Sequence, residues 1–380
     1  MAPSLYPVTV VGSWPRPPAL VRAMREHAQG RLAAASLVPL MDDAVRAALA
    51  AQIAAGVDIV SDGEQRRDNF VAFVAEKLKN VRKITVAELL EHVPDPSDFA
   101  EILGALELPT HTMVTPAAVG PIARNSPLAL DEVRFVRAHT DRPVKVALPG
   151  PYLLTRSLWV EGLSRAAYPR REDLAADVVA VLREELDELG RAGVDFVQLD
   201  EPILIELAFS RPGASAERPA SRRDAQGELS LAVDLINEVA RGYAGPRLGV
   251  HVCRGNWSTQ EEWLLSGSYE PLLPYLERMR VHQLVLEFST PRAGEAAAIA
   301  ARLPGELGLG VVNPRTVEVE SARVIFEHVQ PVARVLGPER IFLNPDCGFC
   351  TYASRPMASP EQAVAKLRAI AEAARMLRGA

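Results

Sequence analysis

Three cysteines in a chain of 380 residues are too few for a disulfide scaffold, so each has to be read for reactivity or metal binding. Cys253, Cys347 and Cys350 all fall in the last third of the chain. Cys253 follows His251 by two positions in the apolar run Val250-His251-Val252-Cys253. Residues two apart on a strand face the same way, so both can reach one ion. Alone, that pattern fits a core histidine beside a buried thiol equally well. Glu287 closes a second apolar run, Leu286-Glu287-Phe288-Ser289, and Cys347 follows a third, in Asn344-Pro345-Asp346-Cys347-Gly348. One nitrogen, one carboxylate and two sulfurs make a tetrahedral zinc set, so the candidate ligands are His251, Cys253, Glu287 and Cys347. Cys347-Gly348-Phe349-Cys350 is also a C-x-x-C, but a redox pair is expected at a helix start in a small βαβ domain. Cys350 is therefore read as a bystander, or as a thiol able to oxidise onto Cys347 once metal is lost.

Three further segments carry polar groups at the ends of apolar runs. They are Val11-Gly12-Ser13-Trp14-Pro15-Arg16, Asp62-Gly63-Glu64-Gln65-Arg66-Arg67-Asp68 and Gln198-Leu199-Asp200-Glu201-Pro202. Any one carboxylate here would serve as a helix cap or an ion-pair partner. Converging on one rim, Glu64 and Asp200 would instead hold the ammonium group of a small ligand.

The elements that must bring these residues together follow a rhythm. Short β-branched runs at 8–11, 57–61, 144–148, 196–199, 248–252, 284–288, 307–312 and 341–343 alternate with helical stretches at 42–55, 171–192, 231–241, 318–335 and 360–377. Most of the runs have consecutive apolar residues rather than strict alternation, as expected for parallel strands covered on both faces. Strand and helix alternating eight times predicts an α/β fold, a (β/α)8 TIM barrel, in which the strand ends form the active face. Such barrels take about 250 residues. The excess is assigned to a large insertion between the second and third predicted strands, about 70–142, and a smaller polar loop at 211–226. The whole of 1–380 is read as one catalytic domain.

Composition narrows the partners. A net charge of −6 and a pI near 5.8 argue against nucleic acid. The lack of an 18-residue apolar run argues against a membrane span. The N-terminus lacks a basic start, apolar core and cleavage site, which predicts a cytoplasmic protein. The oligomeric state is left open.

The ordered set Gly12-Ser13, Gly63-Glu64 with Arg67, Asp200-Glu201-Pro202, His251-x-Cys253, Glu287 and Asn344-Pro345-Asp346-Cys347-Gly348 resembles the catalytic barrel of cobalamin-independent methionine synthase, from about Val10 onward. The family's long form has a second, N-terminal barrel that this chain is too short to contain, so the resemblance is to the single-barrel branch, whose methyl donors differ. It implies that His251, Cys253, Glu287 and Cys347 bind zinc (Zn2+), and that Ser13, Glu64 and Asp200 hold the amino-acid part of homocysteine, with Asp200 the candidate catalytic residue. The reaction implied is methyl transfer to the homocysteine thiol, giving methionine, by in-line attack of a zinc-bound thiolate. Folate-using members have a His at the end of the seventh strand; here Val311-Val312-Asn313-Pro314-Arg315 has none, and Asn313 cannot act as a general acid. The family's Trp after the Gly-Pro of the third strand is also missing from Gly150-Pro151-Tyr152, although Trp159 follows, and Asp68-Asn69 stands where the family has Asn-Asp. These departures count against a tetrahydrofolate donor and leave a small donor or a methylated corrinoid.

Two other readings stand beside this one. A relative resembling epoxyalkane:coenzyme M transferase would add a thiol to an epoxide or another alkyl electrophile. Coenzyme M carries a sulfonate and no ammonium, so Asp200 and Glu64 would repel it unless Arg16, Arg66 or Arg254 dominated. The third reading is a zinc-binding structural or interaction protein, which leaves the acidic rim beside the metal unexplained.

Overall fold

The computed structural model describes residues 5–92, 114–209, 225–254, 256 and 267–379. Its strands are β1 (Leu78–Thr85), β2 (Val114–Arg124), β3 (Lys145–Pro149), β4 (Phe196–Asp200), β5 (Arg247–Val252), β6 (Gln283–Glu287), β7 (Glu306–Val312) and β8 (Ile341–Pro345). The last six form a parallel sheet in the order β3-β4-β5-β6-β7-β8. Every residue of β3, β4, β6 and β8 is buried, the polar ones Lys145, Gln198, Asp200, Gln283, Glu287 and Asn344 included.

The predicted strands at 8–11 and 57–61 differ from expectation, since they join the sheet through single parallel bridges. Val8 bridges Leu343, Thr9 bridges Ile59, and Val60 bridges Val144, so hydrogen-bonded neighbours run from β8 through both segments back to β3. The ladders stop early because side chains take the groups that longer ladders would use. Lys145 Nζ donates to the carbonyl of Val10 (2.8 Å), and Gln198 Nε2 donates to that of Val11 (3.1 Å). Gln52 holds both backbone groups of Ser61, accepting from its N–H and donating to its carbonyl, each at 3.0 Å.

Helices alternate with the strands and cover the sheet. The longer ones are α1 (Ala34–Ala55), α2 (Arg171–Arg191), α3 (Ala225–Ala240), α4 (Ala322–Leu336) and α5 (Pro360–Leu377). The start of α5 is fixed by a reciprocal cap: the Gln362 N–H donates to Ser359 Oγ (3.2 Å), and the Ser359 N–H donates to Gln362 Oε1 (2.8 Å). Leu367 and Ile370 on its inner face are fully buried in the main core, together with Val60, Leu307 and Leu343.

Within the stretch 70–142, β1 and β2 form a separate antiparallel pair. Residues 93–113 of that stretch, and 211–224 of the predicted loop at 211–226, lie outside the described residues.

Candidate active site and metal centre

β5 delivers His251 and, one residue past its end, Cys253; Cys347 follows β8 by two residues. His251 Nδ1 lies 3.2 Å from the carbonyl of Val285 on β6. A carbonyl only accepts, so Nδ1 carries the proton and the Nε2 lone pair is available. Nε2 is buried and has no hydrogen-bond partner. The ligand atoms of His251, Cys253 and Cys347 all lie within 4.8 Å of one another. Tetrahedral donors with bonds of about 2.0–2.3 Å to one ion stand roughly 3.3–3.8 Å apart, inside that bound. The Cys347 thiol is pushed well up by its hydrogen bond with Cys253 and by burial. For His251 burial pulls downward, but Cys253, Asp200 and Glu287 outweigh it and the imidazole shifts upward. Crowded sulfur and nitrogen donors that hold on to protons are what a divalent cation would relieve.

Glu287, at the end of β6, stands outside this close group. Its Oε1 accepts from the Arg254 backbone N–H and from Asn256 Nδ2 (2.6 Å), and its Oε2 accepts from Arg292 Nη2 (3.1 Å). Burial and the nearby Asp346 push its carboxyl upward, against the Arg292 guanidinium. Behind it, the Glu287 N–H donates to Tyr269 Oη (3.2 Å), which donates to the carbonyl of Val252 (2.8 Å) and so ties β6 to β5.

Ser13, Glu64 and Asp200 come to the other side of the same space. Asp200 ends β4, opposite His251 in the β4–β5 register. Gln198 Nε2 donates to its Oδ1 (2.7 Å), and burial pushes its carboxyl up to about 6. Glu64 sits in the left-handed region at φ 55°, with its N–H donating to Asp62 Oδ1 (2.9 Å). Burial, with Asp200 nearby, pushes Glu64 up to about 7 against the pull of Arg67, and its Oε2 is buried without a partner. Two buried carboxylates, one with an unsatisfied oxygen, favour a cationic ligand. Close backbone approach completes the rim: a Cβ on Gly348 would lie 2.1 Å from Ser13 Oγ, and one on Gly12 would lie 2.3 Å from Glu64 Oε1.

A cavity of about 880 Å³ is lined by Ser13, Glu64, Asp200, His251, Cys253 and Cys347 together. Trp159 also lines it, with its indole N–H donating to the carbonyl of Tyr168 (3.1 Å). Asn313 faces its own loop, its Oδ1 accepting from the Arg315 N–H (3.0 Å). Cys350 is fully buried, and its thiol donates to the carbonyl of Tyr352 (3.2 Å).

Sequence reasoning missed Gln198, Asn256, Tyr269 and Arg292. Gln198 was within reach, because a polar residue two before Asp200 on a strand shares its face. The other three hold Glu287 from short connections, Arg292 from a single 3-10 turn at Pro291–Ala293, where no long period fixes the direction of a side chain.

The profile described as "Cobalamin-independent synthase, Catalytic domain" matches residues 6–376. A methionine synthase of Sulfolobus acidocaldarius is 27% identical over 351 residues, covering 91% of this chain and 86% of that protein. A methionine synthase of Pyrococcus furiosus is 28% identical over 347 residues, covering 91% and 86%. Among solved structures, a B12-independent methionine synthase from Shewanella sp. W3-18-1, in complex with selenomethionine, matches with a TM-score of 0.76. It is 22% identical, with 99% of this chain and 98% of that one covered, a likeness of fold.

Proposed function

The chain belongs to the family of cobalamin-independent synthase catalytic domains, and on that premise we propose that it transfers a methyl group to the thiol of homocysteine, giving methionine. The observation that carries this reading is the single cavity in which His251, Cys253 and Cys347 face Glu64 and Asp200. The parallel sheet, with its bridges from β8 back to β3, supports a (β/α)8 barrel as the architecture. We read 1–380 as one catalytic domain, with the stretch about 70–142, which carries β1 and β2, as its insertion. Among the described residues no helix is long and apolar enough to cross a membrane, and a cytoplasmic enzyme of small-molecule metabolism is the setting proposed.

The donors fit zinc: a buried Nε2 with no hydrogen-bond partner stands beside two thiols. His251, Cys253 and Cys347 would hold the ion, with Glu287 the fourth candidate. Zinc bound there would supply a lowered thiol pKa, presenting the substrate sulfur as a nucleophile at neutral pH.

The chain's own residues do the rest. Glu64 and Asp200 bind the ammonium group, which gives both buried carboxylates a counter-charge. Ser13, packed under Gly348, closes the rim around the amino-acid end. Because Asp200 lies beside His251 across the β4–β5 ladder, an amino acid anchored there directs its side-chain thiol toward the three donors. Holding the sulfur in one place and out of bulk water is the source of rate for in-line attack on a methyl carbon.

Electrostatics disfavours a sulfonate thiol. Arg16 spends its guanidinium on carbonyls of the protein, Arg66 pairs with Asp42, and Arg254 lies over the rings of Tyr269 and Phe209. Of the arginines that line the cavity, Arg156 and Arg171 pair with Glu228, Arg165 with Glu161 and Arg170 with Asp173. A methylated corrinoid and other small methyl carriers are the proposed donors.

The test is product analysis of zinc-loaded protein given homocysteine or coenzyme M with methylcobalamin, and the same thiols with propylene oxide. Methionine formation from homocysteine is expected. Alkylated coenzyme M with no methionine would replace this reading with epoxide opening.

A further inference from the structure

Arg16 lies three residues beyond Ser13 and is 5% exposed. It does not line the cavity, yet its guanidinium joins two segments that do. Nη2 donates to the carbonyls of Glu64 (2.6 Å) and Arg67 (2.7 Å). Nη1 reaches the carbonyl and the Sγ of Cys350, both at 3.4 Å. The same loop is stitched to Ser13 twice, by the Cys350 N–H to Ser13 Oγ (3.3 Å) and the Phe349 N–H to the Ser13 carbonyl (2.9 Å). One planar fork therefore keys together the segment of Ser13, the turn of Glu64 and the loop that follows Cys347.

We propose that Arg16, seated on Cys350, is a positioning residue that holds Ser13 and Glu64 in register with the metal-binding thiols, and so sets the preference for a thiol that carries an amino-acid group. This rests on the methyltransferase reading above. The physical case has two parts. Glu64 occupies the left-handed backbone region, an unfavourable conformation for a residue with a Cβ, and the Arg16 bond to its carbonyl is one of the contacts that hold it there. Cys347, in contrast, continues directly from β8, whose end is pinned by the Asp346 N–H to the Val312 carbonyl (3.0 Å). Loss of Arg16 releases the acidic turn and leaves the thiol end in place. The arrangement also gives Cys350 a role other than redox: its buried sulfur and carbonyl are the seat of the guanidinium. A lysine offers its donors from one nitrogen and loses the planar fork whose Nη1 and Nη2 serve the two segments separately.

The test compares the zinc-loaded wild type with Arg16→Met and Arg16→Lys. Zinc content is measured, and so are affinities for homocysteine and for 1-propanethiol, which has the thiol and lacks the amino-acid group. Arg16→Met should weaken homocysteine about tenfold or more, through lost hydrogen bonds to a charged donor, with Arg16→Lys intermediate. Zinc content and propanethiol affinity should stay at wild-type levels. Homocysteine affinity within about twofold of wild type in both variants, or an equal loss of both thiols, would overturn the assignment. If Arg16→Met fails to fold, Arg16→Lys decides on the same criteria. A wild type that holds zinc and binds neither thiol contradicts the methyltransferase reading itself and removes this assignment with it; that outcome is distinct from a variant behaving like wild type.

Discussion

The two halves of the site are built differently. His251, Cys253 and Cys347 come from β5 and β8, strands held in a continuous parallel ladder. Ser13 and Glu64 come from segments that touch the sheet through single bridges and are held by side chains: Gln52, Lys145, Gln198 and Arg16. Backbone pairing positions His251 and Asp200 and carries the chain to within two residues of each thiol, whereas buried side-chain hydrogen bonds position Ser13 and Glu64. Substitutions among those side chains should therefore disturb recognition of the amino-acid end while sparing the metal, and the dependence should not run the other way.

The largest expected effect breaks the ladder-held half. Cys347→Ser should lose most of its zinc, a fall of more than about a hundredfold in metal affinity, since even outer-shell changes cost about 10–100-fold. Metal analysis after dialysis checks it, and full zinc retention would remove Cys347 from the ligand set. Next comes the rim. Asp200→Asn should keep zinc and lose about a hundredfold in homocysteine affinity by calorimetry, the scale for truncating a buried charge partner.

A pH series sharpens the comparison further. Burial raises Glu64 from 4.5 to about 7, so the folded state favours its neutral form. Its contribution to stability is present in full below pH 4.5 and is lost as pH rises through about 7. Ammonium binding has the opposite sense, because it needs the ionised carboxylate. Taken as a ratio to 1-propanethiol affinity, which cancels the proton zinc draws from either thiol, homocysteine affinity should climb as pH approaches 7 and then level, and Glu64→Gln should flatten that rise without changing zinc content.

The smallest effects separate stability from chemistry. Gln52→Ala leaves the buried backbone groups of Ser61 unpaired, a cost of about 1–3 kcal/mol that a melting curve would register. Ser359→Ala removes a cap that does not line the cavity and should cost about 1 kcal/mol with thiol affinity unchanged.

The same division explains what was legible in the sequence. The runs that became β3 to β8 were visible because strands buried on both faces are largely apolar. The runs at 8–11 and 57–61 were visible too, but not their joining the sheet through single bridges, because Lys145 and Gln198 reach across from other strands to the carbonyls of Val10 and Val11. At the site, His251 and Cys253 could be paired by strand period. The partners that occupy Glu287, namely Asn256 and Arg292, lie on short connections whose aim depends on the finished fold. The Arg16 contacts span 48, 51 and 334 residues of chain, beyond any local signal.

A crystal structure of the zinc-loaded protein with homocysteine tests the central claim most directly. The predicted result places the substrate sulfur at the metal held by His251, Cys253 and Cys347, with the ammonium group against Glu64 and Asp200. A homocysteine bound with its sulfur away from those three residues, or with its ammonium turned from both carboxylates, would contradict the account.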